Sequence, residues 1–411
     1  MSKVENGTQN RVALVVGATG VAGTATVNHL AESGWRVYAI SRSITPGSFL
    51  AKNVSAVQVD LFDGDRLHSQ LRDKHITHVF YTALFRTEIM RDMEKRPLNS
   101  RLTKIQLRLA RPFVPLLYGC GGWVTNVFQT NLAKMAGAYD GEKKNLTMLQ
   151  NVVAALEEHP LEHVAIVTGG KFYGVHLGPY LYPNWKTPFC EDDAPHPGPN
   201  FYFDLERWLR ERAGNEWTWS VVRPHFLIGY ASGAPFNLGT AIAVYAHLLR
   251  ELGWPLVFPG DERTYEAQWE MSCARGLARL MEWTATHPRG VNQIFNATND
   301  DPFRWCDLWP RLASYFDMEH EVRPHGLRVQ KFLADKGHIW KELVEEHGLI
   351  ANPLEALLPL QFLDKSMVMD WRVHYSQEKV KFHGYSPFTD TCDMFVRLFD
   401  ELRAGRIIPS S

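Results

Sequence analysis

Cysteine is scarce and scattered in this 411-residue chain. The five thiols, Cys120, Cys190, Cys273, Cys306 and Cys392, lie far apart, and none forms a CxxC pair. That pattern excludes a zinc knuckle and a disulfide framework, and leaves reduced thiols as the expectation. Charge of one sign is also missing: 44 basic residues face 45 acidic ones. A dominant nucleic-acid or anionic-membrane surface would need a basic excess, so neither partner is expected. No run of about 18 apolar residues is present, which excludes a transmembrane helix. The first ten residues, MSKVENGTQN, are polar and lack the apolar centre of a secretory signal, so a cytoplasmic location is expected. No spaced His/Asp/Glu set reads as a metal site, and no GxSxG marks a nucleophile elbow. There is no internal repeat. The apolar fraction of 45% is ample for a large core, and the length suggests two or three structural units at roughly 150 residues each.

What is present is a rhythm of short apolar runs and helical faces. RVALVVG (11–17) is continuous and apolar, as in a strand buried on both faces. A helix ends at Gly34; strands follow at 35–41 and 54–61, a short helix at 65–73 and a strand at 75–83. Strand and helix alternating at this spacing predict a parallel sheet with right-handed crossovers, an α/β doubly wound, Rossmann-type fold. Residues 86–137, basic and then Gly/Pro-broken, interrupt the rhythm and read as an irregular insertion. A lid over the site is favoured over a basic-apolar surface for a membrane or partner, or a poorly ordered insertion. A helix at 145–159, a strand at 163–169, a long Pro/Tyr/Trp-rich loop at 170–200, a helix at 200–212 and a strand at 217–224 follow. Beyond Gly229 the chain is mainly helical. The expected division is a cofactor-binding domain over 1–230 and a smaller, mostly helical substrate domain over 231–411, with 290–300 returning to the sheet.

Gly17-Ala18-Thr19-Gly20-Val21-Ala22-Gly23 fits GxTGxxG directly after a strand and at a helix start. The first glycine permits the tight turn, the second lets backbone approach a pyrophosphate, and the third lets helix pack on sheet. The helix N-terminus offers N–H groups and partial positive charge to the phosphates. At the end of the second strand, where a carboxylate would bind the 2′-hydroxyl of NAD, stand Ser41, Arg42 and Ser43. An arginine with hydroxyls suits a 2′-phosphate, so NADP(H) is the expected cofactor; a solvated Arg42 with NAD is the alternative. Asp60 and Leu61 close the third strand, where the adenine edge is usually held; a plain turn aspartate is the other reading. Thr82 and Ala83, closing the fourth strand, complete the cofactor-facing set.

Further along, TGGKFY (168–173), GPY (178–180), PNFYFDLE (199–206) and TWSVVRPHFLIGY (218–230) resemble the progesterone 5β-reductase/iridoid synthase-like family of atypical, extended short-chain dehydrogenases/reductases. The likeness continues through 237–246, 295–313 and the C-terminal helices, covering nearly the whole chain except about 86–137. It implies NADPH-dependent 1,4-reduction of activated C=C bonds in enones and enals. The family's lysine falls on Lys171 and its catalytic tyrosine on Tyr202. Its paired basic residues after the second strand are half kept, as Arg42 followed by Ser43. Pro224, Phe226 and Ile228 are expected to flank the nicotinamide, and Phe172, Tyr173 and Tyr180 to face substrate. The implied partner is a small apolar carbonyl compound, and a homodimer is compatible with the chain.

Hydride addition to the β-carbon of an enone places negative charge on the carbonyl oxygen, and a phenol aimed there stabilises the transition state. Lys171 would lower that phenol's pKa or anchor the ribose. Ordinary short-chain dehydrogenases instead place Tyr and Lys four apart on one helix. Here Tyr202 is followed at that spacing by Glu206. Tyr139 and Lys143 have the spacing but precede the strand at 163–169, and Gly141 weakens a helix there. Carbonyl or imine reduction, and a non-catalytic NADP sensor, are the alternative functions. Fold alone does not choose among them.

Overall fold

The structure is a computed structural model describing residues 11–44, 53–85, 141–182, 185–196, 200–231, 233–234 and 237–410, with backbone alone at 141, 142, 180 and 181. The insertion read at 86–137, Tyr139 and Cys120 lie outside the described residues. Seven parallel strands form the central sheet: β1 Val12–Val16, β2 Arg36–Ser41, β3 Val54–Gln58, β4 His78–Tyr81, β5 His163–Val167, β6 Thr218–Arg223 and β7 Gln293–Asn296. Their spatial order is β7-β6-β5-β4-β1-β2-β3. The order reverses between β1 and β4, which is where an open α/β sheet leaves a crevice at its carboxyl ends. The inner strands β1 and β4 are therefore apolar runs covered on both faces, whereas the edge strand β3 leaves Ser55, Ala56 and Gln58 exposed. Ala13 and Val15 point to one face and Leu14 and Val16 to the other, all fully buried.

Helices of eight or more residues are labelled here. One face carries α2 Gly64–Leu71, α3 Gly141–Ala154 and α4 Phe201–Ala213. The other carries α1 Val21–Glu32, packed against α6 Ala274–Thr286. Glu282 of α6 ties the pair together, accepting from Trp35 Nε1 at 2.8 Å and meeting His29 Nε2 at 2.6 Å. A second apolar core gathers α5 Leu238–Glu251, α7 Trp305–Tyr315, α8 Gly337–Glu346 and α9 Thr391–Ala404 around Trp269, Trp305, Trp309 and Phe258. These three tryptophans are fully buried. β7 and α6 come from beyond residue 230 but complete the first sheet, β7 by pairing with β6 in parallel register.

Two elements depart from expectation. Helix α3 begins at Gly141, four residues before the predicted start. The stretch 170–200, read as loop, contains a 3₁₀ turn at Gly170–Tyr173 and a short helix at Gly178–Leu181. Among the described residues, no helix is long and apolar enough to cross a membrane.

Candidate active site

The glycine turn leaves β1 with Gly17 at φ 81°, a left-handed conformation that glycine adopts without steric cost. Gly17 and Ala18 both donate N–H to the Ile40 carbonyl, at 3.1 and 3.0 Å. A Cβ on Gly23 would fall 2.1 Å from the Gly17 oxygen, and one on Gly17 only 2.7 Å from the Ala83 backbone. Gly20 is different. A Cβ there would meet only the Gly17 oxygen, at 3.5 Å, so its outer side is open. Gly20 is also the N-cap of α1, with no side-chain cap and no acidic residue in the first turn. Uncapped N–H groups beside an open glycine face fit a pyrophosphate.

Neighbouring strand ends close on this turn. Thr19 and Ser41 share a hydroxyl hydrogen bond of 2.9 Å. Thr82 donates from its hydroxyl to Val16 at 2.8 Å and to Gly17 at 3.2 Å. Arg42 and Ser43 are exposed, and Arg42 has no ion-pair partner among the described residues. Asp60 is exposed and accepts from the Phe62 N–H at 3.0 Å. Leu61 is buried, its carbonyl held by Asn151 at 2.9 Å. From the other side, Gly229 approaches Val21, a Cβ on it lying 3.1 Å from the Val21 methyl. The segment Pro224–Ile228 therefore reaches the glycine turn. It bends at Phe226, whose φ is 35° and whose ring stacks on Trp269 at 5.2 Å. Ile228 is buried.

Lys171 sits on the 3₁₀ turn after β5. That turn is sewn to β6 by Gly170 N–H to the Pro224 carbonyl at 3.1 Å. Tyr202 lies in the first turn of α4, capped by Asn200. The two are joined through one side chain. Asn200 Oδ1 accepts from the Tyr202 N–H at 3.0 Å, and Asn200 Nδ2 donates to the Lys171 carbonyl at 2.9 Å. The Tyr202 hydroxyl comes down on Gly169, 3.5 Å from where a Cβ would stand, beside the Pro224 carbonyl. Burial, and then the Glu206 carboxylate, push its phenol above the ordinary tyrosine range. It therefore keeps its proton at neutral pH.

Phe172 and Tyr173 are placed in the core rather than on an open wall. The Arg223 guanidinium stacks over Phe172 at 3.4 Å, and the Tyr173 hydroxyl donates to Asn296 Oδ1 at 2.7 Å. The Tyr180 side chain lies outside the described residues. His225 is buried, which pushes it down to about 3, so it is neutral at physiological pH. Among the described residues, no group of three or more His, Cys, Asp or Glu could hold a metal ion.

Sequence reasoning missed a buried charge cluster behind this pair. Arg223 of β6 forms a two-pronged ion pair with Glu206 of α4, Nε–Oε1 3.0 Å and Nη2–Oε2 2.6 Å, at 1% and 2% exposure. Thr168 adds a bond to Glu206 at 2.8 Å, and Arg223 Nη1 donates to Tyr173 at 2.9 Å. An arginine closing an apolar strand and a glutamate on the apolar stripe of α4 were the available signals.

Comparison with known proteins places these features in a family. Residues 123–409 match the PRISE-like Rossmann-fold domain, and residues 13–110 match the NAD dependent epimerase/dehydratase family. The chain is 28% identical to (S)-8-oxocitronellyl enol synthase of Catharanthus roseus, over 97% of this chain and 92% of that one. It is 27% identical to 3-oxo-Delta(4,5)-steroid 5-beta-reductase of Arabidopsis thaliana, over 97% and 93%. Among solved structures, UDP-glucose 4-epimerase of Thermus thermophilus in complex with NAD superposes with a TM-score of 0.56 at 15% identity, covering 95% of this chain and 99% of the other. The Bifidobacterium longum UDP-glucose 4-epimerase reaches 0.59 at 14%, covering 96% and 98%. These two share the fold. With its doubly wound sheet, glycine turn and matched domain, the chain belongs to the PRISE-like Rossmann-fold family, and with it to the nicotinamide-dependent oxidoreductases of the short-chain dehydrogenase/reductase superfamily.

Proposed function

We propose that the chain is an NADPH-dependent reductase of activated C=C bonds in small apolar enones or enals. The observation that supports it most is the Asn200 bridge, which couples the turn of Lys171 to the helix of Tyr202 at the carboxyl end of the sheet. Gly17, Thr19, Gly20, Val21 and Gly23 would hold the pyrophosphate. Ser41, Arg42 and Ser43 would hold the 2′-phosphate, and Asp60 and Leu61 the adenine. Thr82, Ala83, Pro224, Phe226 and Ile228 would border the nicotinamide. When bound, the cofactor supplies the hydride. Tyr202 donates a hydrogen bond to the substrate oxygen, strengthening as that oxygen gains charge. Lys171 orients the phenol and raises the local positive potential. Phe172, Tyr173 and Tyr180 remain the proposed substrate-side residues, the first two as the buried backing of the turn. Exposed Arg42, with no carboxylate at 41–44, favours NADPH over NADH, and the same reading carries a cytoplasmic location.

NADPH oxidation followed spectrophotometrically over enals, cyclic enones, ketones and imines tests this reading. Turnover of an activated alkene, lost in Tyr202→Phe with NADPH binding retained, is expected. Binding of NADPH without turnover of any of these classes overturns it. Arg42→Ala is expected to cut the preference for NADPH over NADH by about 10- to 100-fold, the weight of a charge-assisted contact.

A further inference from the structure

On α4 the position four residues after the phenol, from which a lysine reaches the tyrosine in the usual short-chain dehydrogenase arrangement, is occupied by Glu206. Glu206 does not face solvent. Both its oxygens are taken by Arg223, and one also by Thr168, the residue that follows β5. Arg223 spends its remaining donors on the other half of the site. Its Nη1 reaches the Tyr173 hydroxyl at 2.9 Å and the Glu191 carbonyl at 3.3 Å, and its plane covers Phe172. Phe172 and Tyr173 directly follow Lys171. Tyr173 continues to Asn296 at the end of β7, which accepts at 2.7 Å. One ion pair thus touches the phenol-bearing helix, the lysine-bearing turn and two strand ends. A pair so deeply desolvated gives little net stability over apolar residues of the same size, so stability alone does not account for its being there.

We propose that the buried Arg223–Glu206 pair is the positioning unit of this site, setting the phenol of Tyr202 and the turn of Lys171 at their working separation in place of a lysine on the same helix. The proposal rests on Tyr202 acting as the donor. Neither Arg223 nor Glu206 touches substrate. They act through Tyr202 and through the turn.

The test uses the full chain, NADPH and 2-cyclohexenone. A Glu206→Leu/Arg223→Met double variant keeps volume and removes both charges, and it is expected to fold with unchanged melting temperature and unchanged NADPH affinity by fluorescence titration. Its kcat should fall on the order of 10–100-fold, the cost of a displacement near 1 Å at a reacting centre. Glu206→Gln keeps shape and removes only the negative charge. Its kcat should fall while its KM for 2-cyclohexenone and its NADPH affinity stay unchanged, because the phenol-bearing helix loses its anchor to β6. A folded double variant with wild-type kcat, or a folded Glu206→Gln variant with wild-type kcat, overturns the proposal. If the double variant does not fold, Glu206→Gln decides. If neither folds, Glu206→Asp decides: it keeps both charges and shortens one arm of the pair, so kcat should fall with KM unchanged, and wild-type kcat in it overturns the proposal. Tyr202→Phe separates the two readings. Its full activity would remove the phenol itself, whereas its inactivity beside an unaffected double variant would remove only the positioning pair.

Discussion

The two ends of the central sheet each bury a polar cluster, and they handle charge in opposite ways. At the carboxyl end Arg223 and Glu206 form an ion pair and answer one another at 2.6 Å. At the amino end His78 and His163 sit with ring centroids 6.3 Å apart and no carboxylate between them. His163 shares hydrogen bonds with Thr218 at 2.8 Å and Ser220 at 2.9 Å, and Ser220 passes the chain on to Thr284. His78 shares one with Thr77 and packs edge-on against Trp35. Burial drives both imidazoles down, His78 to about 4 with help from Arg11, and His163 well below its usual value. The interior admits a charge only with a partner. Where partners are hydroxyls, the group stays neutral. The charged end adjoins the proposed chemistry, whereas the neutral end holds strands together.

The contrast breaks or sharpens under four measurements. The largest effect is expected from Tyr202→Phe at the charged end: a loss of kcat on the order of 10²–10⁴-fold with thermal stability unchanged, read by steady-state kinetics and calorimetry. Next is Arg223→Ala, which leaves Glu206 buried and unpaired. Chemical denaturation should report a loss of roughly 3–5 kcal/mol, far more than the apolar double replacement costs. The third probe is acid. The folded pKa of His78 lies below its unfolded value, so the unfolded chain binds more protons between about pH 6.5 and 4. The stability is complete above pH 6.5 and lost as pH falls through that window, by about 3 kcal/mol from His78 alone. His78→Gln should flatten the slope of melting temperature against pH there; an unchanged slope would refute the assignment. The smallest effect belongs to His163→Leu, about 1–3 kcal/mol for leaving two hydroxyls short of a partner, with kcat preserved.

The strands were legible because apolar runs such as RVALVVG have no other place than a doubly covered sheet. The glycine turn was legible because each glycine answers a separate steric demand, and the contacts of Gly17 and Gly23 carry that demand out. Lys171 and Tyr202 came through resemblance, and spacing alone would not have joined them, since their link is the Asn200 side chain. The start of α3 at Gly141 was lost because glycine lowers helical propensity, while the amphipathic stretch beyond it carries the helix regardless. Phe172 and Tyr173 came through resemblance as substrate-side residues, but the pull of Arg223 on them was not legible. That pull is invisible until β6 and the 3₁₀ turn are known to lie side by side.

The threading of α6 and β7 back beneath the first half has a practical outcome for anyone cutting the gene. A fragment ending at residue 230 would keep every residue of the glycine turn yet strip the cover from α1. Leu277, Met281 and Phe295 would be removed, leaving Val27 and Leu30 of α1 without the side chains that enclose them, and His29 and Trp35 would lose Glu282. Such a truncation should be insoluble. A compact nucleotide-binding module would have to be made by splicing the 274–297 stretch onto it.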